Sequence, residues 1–224
     1  MLDAFHEVYP EVGVHFMVHF EHPDEFLLKG DDREYIRGSN GVYKWVPETE
    51  SAMRGLLARG WITVENQTPI IRDINDNPDA LRIMQREIKR VGADNHYFFC
   101  GRDIVAYKAF NVPIEKAWQI MNESQRGLSG VENHARLSIT HYKGKTEVCA
   151  VTDKAIPGLA GSENGVVIMK LLRSVGDAAD RGKVCIVGRN PKALWFNDYE
   201  DRVLFDEAGL YAYTRVKKPT LAAT

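Results

Sequence analysis

The C-terminal segment of the sequence alternates aromatic and basic side chains with other residues, a pattern suited to binding nucleic acid. Along an extended strand, successive side chains point to opposite faces. One face would then carry two rings followed by two cations: Tyr211, Tyr213, Arg215 and Lys217. Exposed rings stack on unpaired bases for about 1–3 kcal/mol each, and cations bind the phosphates. The segment therefore predicts a surface for single strands, with an edge strand blunted by charge as the alternative.

A predicted hairpin over residues 134–153 provides a second candidate surface. Its first strand places Arg136 and Tyr142 on one face, and its tip carries Lys143 and Lys145. A ribbon with a basic tip is a suitable arm against a phosphate backbone. The same residues also suit an ordinary solvent-exposed turn.

Two aromatic residues in the N-terminal third form another candidate for base stacking. Tyr43 and Trp45 share one face of a short predicted strand beside Lys44. Such a pair can be a stacking platform for bases, and it can equally belong to the core.

A predicted helix over residues 80–91 carries a basic stripe that could lie along a phosphate backbone or form a solvated face: Arg82, Arg86, Lys89 and Arg90. With a helix over 49–59 and a hairpin over 61–74, it provides the parts of a winged-helix-like reader of duplex DNA. Apart from Gln85, the stripe lacks the Asn or Gln neighbours that are common at base edges.

No complete catalytic or metal-binding motif occurs in the sequence. His15, His19 and His22 would align on a helix as metal ligands, but the apolar alternation around them predicts a strand. The sequence has no nucleophile elbow, no Cys-x-x-Cys and no His-Glu-x-x-His. We therefore expect a protein that is not an enzyme and needs neither metal nor cofactor, although an enzyme built from scattered residues would leave no such motif.

The hydrophobic pattern that must position these residues predicts an α+β protein, with a mainly antiparallel sheet, hairpins and a few short helices. The clearest helix begins after Asn77-Pro78-Asp79 and ends at Gly92. The chain is taken as one domain over residues 1–224, with a weak boundary near Gly92. Residues 66–69 are predicted to form the turn of the 61–74 hairpin. Further strands are predicted at 12–20, 95–100, 104–110, 183–187, 192–196, 202–206 and 209–217.

Composition narrows the class of protein. The 224 residues are 44% hydrophobic and 27% charged. These fractions suit a packed domain. The net charge of −2 argues against a protein whose whole surface grips duplex DNA. No apolar run is long enough to span a membrane, and no secretory signal is evident, so a cytoplasmic location is expected. Three widely spaced cysteines are expected to be reduced.

The aromatic and basic strand faces, ending in Tyr211-Ala212-Tyr213-Thr214-Arg215-Val216-Lys217-Lys218, resemble those of a small phage early protein. In size and character the chain resembles the Drc-type single-stranded-DNA-binding RNA polymerase cofactors of lytic podophages. This resemblance implies a non-enzymatic accessory factor for transcription. Its partners would be single-stranded DNA and a phage RNA polymerase, and it could form a homo-oligomer. The alternatives are the winged-helix-like duplex reader and a non-catalytic inhibitor of a host protein.

Overall fold

The structure is a computed structural model that describes residues 1–212. The described part contains the α-helices α1 (Leu2–Val8), α2 (Pro47–Leu57), α3 (Pro78–Val91) and α4 (Ile114–Ser124), and residues 210–212 are helical as well. It also contains eight strands, which are ordered as in the sequence: β1 (Val14–Val18), β2 (Ile62–Pro69), β3 (Asp94–Phe99), β4 (Arg136–His141), β5 (Gly144–Thr152), β6 (Val166–Ser174), β7 (Val184–Gly188) and β8 (Val203–Asp206). Short 3-10 helices cover Pro23–Glu25, Val105–Phe110, Ala178–Asp180 and Phe196–Arg202. Among residues 1–212, no helix has the length and apolar character needed to cross a bilayer.

The chain divides into two compact units, each drawn from three segments. The first unit contains residues 1–68, 77–97 and 124–135. The second contains residues 69–76, 98–123 and the described residues from Arg136 onward. The division of the chain into functional domains, including the predicted single domain, stays a prediction.

The first unit is built around parallel strands. β1 and β2 pair in parallel from Val14↔Ile62 to Val18↔Asn66, and α2 lies between them in the sequence. A parallel pair requires such a crossover connection, because a two-residue turn cannot return the chain to the same end of the sheet. The core of this unit includes fully buried side chains of α3: Leu81, Met84 and Ile88.

Helix α3 begins and ends where the sequence predicts. The Asn77 side chain accepts a hydrogen bond from the Asp79 backbone N–H at 2.8 Å. Pro78 occupies the first turn, where its missing N–H costs no hydrogen bond. At the other end Gly92 has a φ of 108°. Glycine adopts this left-handed conformation without strain. The prediction of this helix is confirmed.

The second unit is antiparallel. β4 and β5 form the predicted hairpin, paired from Ser138↔Glu147 to His141↔Gly144, and the pairs β5–β6, β6–β7 and β7–β8 are antiparallel as well. The predicted α+β class is confirmed. A mainly antiparallel sheet is only partly right, because β1 and β2 run parallel.

The local predictions for three segments between residues 66 and 196 are wrong. Residues 66–69 are the end of β2 and form no turn, because the side chains of Asn66 and Thr68 are buried and hydrogen-bonded to the backbone of Phe20. The predicted strand at 104–110 is a 3-10 helix over Val105–Phe110, with Tyr107 N–H bonded to the Ile104 carbonyl (2.9 Å). Residues 192–196 form no strand.

Candidate functional site

The parallel strands of the first unit leave one of their faces polar and open. Along β1 and β2, the half-buried or buried Val14, Phe16, Val18, Ile62 and Val64 alternate with more exposed residues. Parallel sheets are usually covered on both faces and are apolar on both. The other alternate set, which is exposed or half-buried, is instead mostly polar, and we call it the polar face: His15, Met17, His19, Thr63, Glu65, Gln67, Asp94 and His96. A face of this kind is where a ligand can reach side chains held by a rigid sheet.

The opposite side of the strands fixes the polar face in place. Asn66 Oδ1 accepts from the Phe20 N–H (2.8 Å), and Thr68 Oγ1 donates to the Phe20 carbonyl (2.7 Å). On β3, the buried Asn95 donates to the Gln85 carbonyl of α3 (3.0 Å). These bonds satisfy polar groups that would be costly to bury alone. They therefore determine which residues of β2 and β3 point towards the polar face.

Cross-strand contacts link the side chains of the polar face in rows. His15 Nδ1 and Thr63 Oγ1 are 2.5 Å apart, and these two residues are register partners. The Gln67 amide nitrogen lies 2.7 Å from His19 Nε2. In the middle row, Glu65 Oε2 lies 3.5 Å from His96 Nδ1, and Met17 is the register partner of Glu65. The face thus presents a central carboxylate between two hydrogen-bonding pairs.

The two carboxylates of the polar face differ in whether a lysine of the protein forms an ion pair with them. Asp94 forms an ion pair with Lys89 and also lies 4.0 Å from His134 Nδ1. Glu65 contacts a histidine, and no described lysine or arginine pairs with it. Among the described residues, no group of three His, Cys, Asp or Glu side chains could hold a metal ion. The face presents the carboxylate of Glu65, imidazole nitrogens and the amide of Gln67.

The second unit contains a carboxylate of the opposite kind. Glu115, on α4, is 1% exposed. Its Oε2 accepts from Arg189 Nε (2.8 Å) and its Oε1 accepts from the Asn190 N–H (2.6 Å). Burial beside Glu115 and Cys100 raises the pKa of Tyr199 well above its usual range, with burial the larger cause. This cluster holds the segment after β7 and is closed to ligands.

The C-terminal candidates for nucleic-acid binding are not arranged as predicted. Residues 210–212 are helical, and Tyr211 is 3% exposed, so its ring cannot stack on a base. The cause lies in Asp206, whose two carboxylate oxygens accept from the N–H groups of Leu210 and Tyr211, both at 2.9 Å. These bonds cap the helical turn. The other three residues of that row, Tyr213, Arg215 and Lys217, lie outside the described residues.

Some of the hairpin residues predicted to bind nucleic acid form hydrogen bonds or ion pairs within the second unit. Lys143 Nζ donates to the Ala208 carbonyl (2.6 Å) and pairs with Asp180 (3.0 Å). Arg136 lies 3.8 Å from Glu147, and Tyr142 is exposed.

Lys145 has the most unusual environment of these cations. Its ammonium lies 5.0 Å from the ring centroid of Phe99. Burial, and secondarily the charge of Arg173, lower the pKa of Lys145 below its usual range. A lysine with a lowered pKa is a better nucleophile than an ordinary surface lysine.

The predicted stacking platform is divided between core and surface. Trp45 is 3% exposed and donates from Nε1 to the buried Glu87 (3.2 Å), so it is a core residue. Tyr43 is half-buried, with the Arg37 guanidinium 3.8 Å from its ring centroid. A shallow cavity of about 360 Å³ beside them is lined in addition by Lys44, Glu50 and Arg90, among other residues.

Sequence reasoning missed the polar face. His15 and His19 were recognised as strand residues, but β2 was interpreted as a hairpin, and so Glu65 and Gln67 were not placed beside them. A usable signal was the polar alternation Thr63, Glu65, Gln67, which matches that of β1 in period.

Comparison with curated proteins relates the chain to enzymes. A protein of Aquifex aeolicus (strain VF5) named "Putative L-lysine 2,3-aminomutase" is 28% identical over 205 residues, which cover 91% of this chain and 46% of that relative. Another match with the same name and organism is 30% identical over 112 residues, or 50% of this chain and 25% of the relative. The chain thus spans less than half the length of the curated relatives it matches. No family model matches the chain.

These matches overturn the functional predictions made from the sequence. The predicted resemblance to Drc-type phage cofactors is wrong, because the relatives carry the name of an aminomutase. The same finding contradicts a non-enzymatic single-stranded-DNA-binding protein and its expected partners, and it supports neither the duplex reader nor the host-protein inhibitor. The short rows of aromatic and basic side chains do not identify a nucleic-acid-binding protein, because each row also suits core packing or an ordinary surface. Without a nucleic-acid function, the rows no longer have an assigned role.

Proposed function

We propose that the chain belongs to an enzyme of the aminomutase type that acts on a free amino acid, and that the polar face forms part of its substrate site. The name of the relatives denotes an enzyme that moves the amino group of L-lysine between carbons 2 and 3. A substrate of this class carries an ammonium group and a carboxylate, so its site needs an anion and a set of hydrogen-bond donors.

The observation that carries the proposal is the open polar face on parallel strands. It offers the carboxylate of Glu65 for an ammonium group, and the amide of Gln67 and the imidazoles of His15 and His19 as hydrogen-bonding groups. Charge-assisted hydrogen bonds of this kind are stronger than neutral ones. The rigid strands hold these groups in fixed relative positions, which lowers the cost of ordering the site on binding.

Titration of the protein with free L-amino acids, followed by amide chemical shifts in NMR, tests the proposal. We expect saturable binding that perturbs amides of β1, β2 and β3 most strongly. The double variant His19→Ala/Gln67→Ala should weaken binding, while Glu7→Gln, an exposed change on α1, should not. Absence of binding for every amino acid, or perturbations confined to β4–β8, would contradict the proposal.

A further inference from the structure

We propose that the cavity beside Tyr43 and Trp45 binds a small organic carboxylate with an apolar body. The cavity is lined by residues between Leu28 and Glu50 and by Arg90 of α3, all within the first unit, and it shares no residue with the polar face. Its volume of about 360 Å³ lies in the range of small-molecule sites. The site is thus additional to the proposed amino-acid site and does not depend on it.

Backbone hydrogen bonds hold the walls of this cavity in place. The Leu28 N–H donates to the Lys44 carbonyl, and the Lys44 N–H donates to the Ile36 carbonyl, both at 2.9 Å. The turn that follows is closed by the Gly38 N–H, which donates to the Val42 carbonyl (2.8 Å). The lining residues therefore have fixed positions without a ligand, which lowers the cost of ordering the site on binding.

The guanidinium of Arg90 is oriented by a buried carboxylate and keeps donors in reserve. Glu87 is buried, and its Oε2 accepts from Arg90 Nε (2.8 Å) and from Arg90 Nη2 (2.5 Å). Nη2 also donates to the Tyr43 carbonyl (3.2 Å). Among residues 1–212, no group accepts from Nη1, which carries two N–H groups. A fixed guanidinium with two such donors is suited to bind an oxyanion.

Lys44 gives the cavity one positive charge that the protein does not pair. Arg90 is neutralised by Glu87, and the acidic lining residue Glu50 accepts from Arg54 Nε (2.9 Å) and Nη2 (2.8 Å). Lys44 is exposed, and no carboxylate in the described part of the chain forms an ion pair with it. The lining thus carries an excess of one cation, which favours a ligand with a single negative charge.

The remaining lining groups specify the other features of the ligand. Asn40 Oδ1 accepts from the Val42 N–H (3.1 Å), so its Nδ2 is the donor that remains. Together with Lys44 and Arg90 it can bind the two oxygens of a carboxylate. Leu28, Val42 and Pro47 line the same cavity and suit an apolar body. An additional ammonium group would lie beside Lys44 and Arg90, so a zwitterionic amino acid fits this cavity poorly.

Calorimetry with 3-phenylpropionate and 3-phenylpropionamide tests the proposal, because the amide has the same carbon skeleton without the charge. We expect the acid to bind about 10-fold more tightly or better, from one charge-assisted hydrogen bond. Lys44→Gln should lower this preference by about 2- to 5-fold, the effect of an exposed charge pair, and leave the affinity for the amide unchanged. Lys154→Gln removes the same charge from an exposed position of the second unit and should keep the preference.

A second variant and the location of the ligand complete the test. Arg90→Lys keeps a cation for Glu87 but removes the Nη1 donors, and should lower the preference by about 10-fold. Amide chemical shifts should change most within residues 38–46. Equal binding of the acid and the amide, no binding of either, or a full preference in Lys44→Gln would overturn the proposal. Shift changes centred on β1 and β2 would place the carboxylate on the polar face and also overturn it. The binding of amino acids is measured separately, so the proposed function stands or fails independently.

Discussion

Two glutamates in the molecule show how the same side chain serves different purposes. Glu115 is almost fully buried, and its carboxylate is bonded to Arg189 and to the Asn190 backbone. Glu65 lies on an open sheet face with a histidine at 3.5 Å. A buried charge requires partners from within the protein, whereas a half-exposed charge is solvated and can pair with a ligand. The difference indicates that the second unit uses its polar groups to hold loops, and that the first unit keeps some of its polar groups available.

Removing the Glu115 carboxylate should give the largest effect. In Glu115→Ala the guanidinium of Arg189 and the N–H of Asn190 lose their partner. Breaking a buried ion pair costs roughly 3–5 kcal/mol, and we expect about 3 kcal/mol because Arg189 is partly exposed. Urea unfolding measures this loss. A cost below about 1 kcal/mol, the range of an exposed pair, would show that Glu115 is not a structural anchor and would remove the contrast with Glu65.

The buried His141 should make the stability of the protein depend on pH. Burial lowers the pKa of His141 from 6.5 to about 4, against the opposing effect of Asp206 and with a smaller contribution from Lys143. Between these two values the unfolded chain binds the proton and the folded protein does not. Stability should therefore fall on acidification through this window, by at most about 1.4 kcal/mol per pH unit.

The variant His141→Asn provides the control for that pH dependence. Its side-chain oxygen can still accept from the Lys143 N–H, as His141 Nδ1 does at 3.2 Å, but it does not titrate. Unfolding free energies measured from pH 7 to pH 4 should show a shallower slope in the variant than in the unmodified protein. Equal slopes would mean that another group is responsible.

Lys145 tests the conclusion that the second unit uses its polar groups to hold loops. Its lowered pKa, caused first by burial and then by Arg173, means that a larger fraction is the neutral amine at a given pH. We expect the pH midpoint of its acetylation, followed by mass spectrometry, to lie below that of the exposed Lys154. Arg173→Gln should raise the midpoint partway. Identical midpoints for Lys145 and Lys154 would show that the ammonium of Lys145 is as well solvated as that of an ordinary surface lysine.

The parts of the fold that were predictable from the sequence depend on neighbours in the chain. Helix α3 is specified by Asn77, Pro78 and Gly92, and the β4–β5 hairpin by its own alternation around residues 142–145. The end of β2 was mistaken for a turn because Asn66 is satisfied by Phe20, 46 residues away. Such a partner leaves no local signal.

The candidate site was less predictable than the fold for the same reason. The polar face exists because β1 and β2 are parallel and in a register that pairs His15 with Thr63 and Met17 with Glu65. Either strand alone shows only an alternation of polar and apolar residues. Asp206 caps the helical residues 210–212. Tyr211, whose ring is predicted to stack on bases, is therefore a core residue.

The smallest expected effect is that of Glu65→Gln on the free energy of unfolding. It tests the contrast between Glu65 and Glu115 most directly. Glu65→Gln keeps the size and the hydrogen-bonding shape of the side chain, and the described protein around Glu65 offers a single ionic contact, with a half-exposed histidine. Exposed ion pairs contribute roughly 0–1 kcal/mol, and the contact with His96 is longer than a hydrogen bond. We therefore expect the free energy of unfolding to change by less than about 0.5 kcal/mol. The same urea experiment that measures Glu115→Ala gives this value under identical conditions. A destabilisation well above about 1 kcal/mol, more than an exposed pair contributes, would place Glu65 among the structural carboxylates together with Glu115. A negligible change would mean that the fold does not need this charge, which is the condition for assigning it to the ligand.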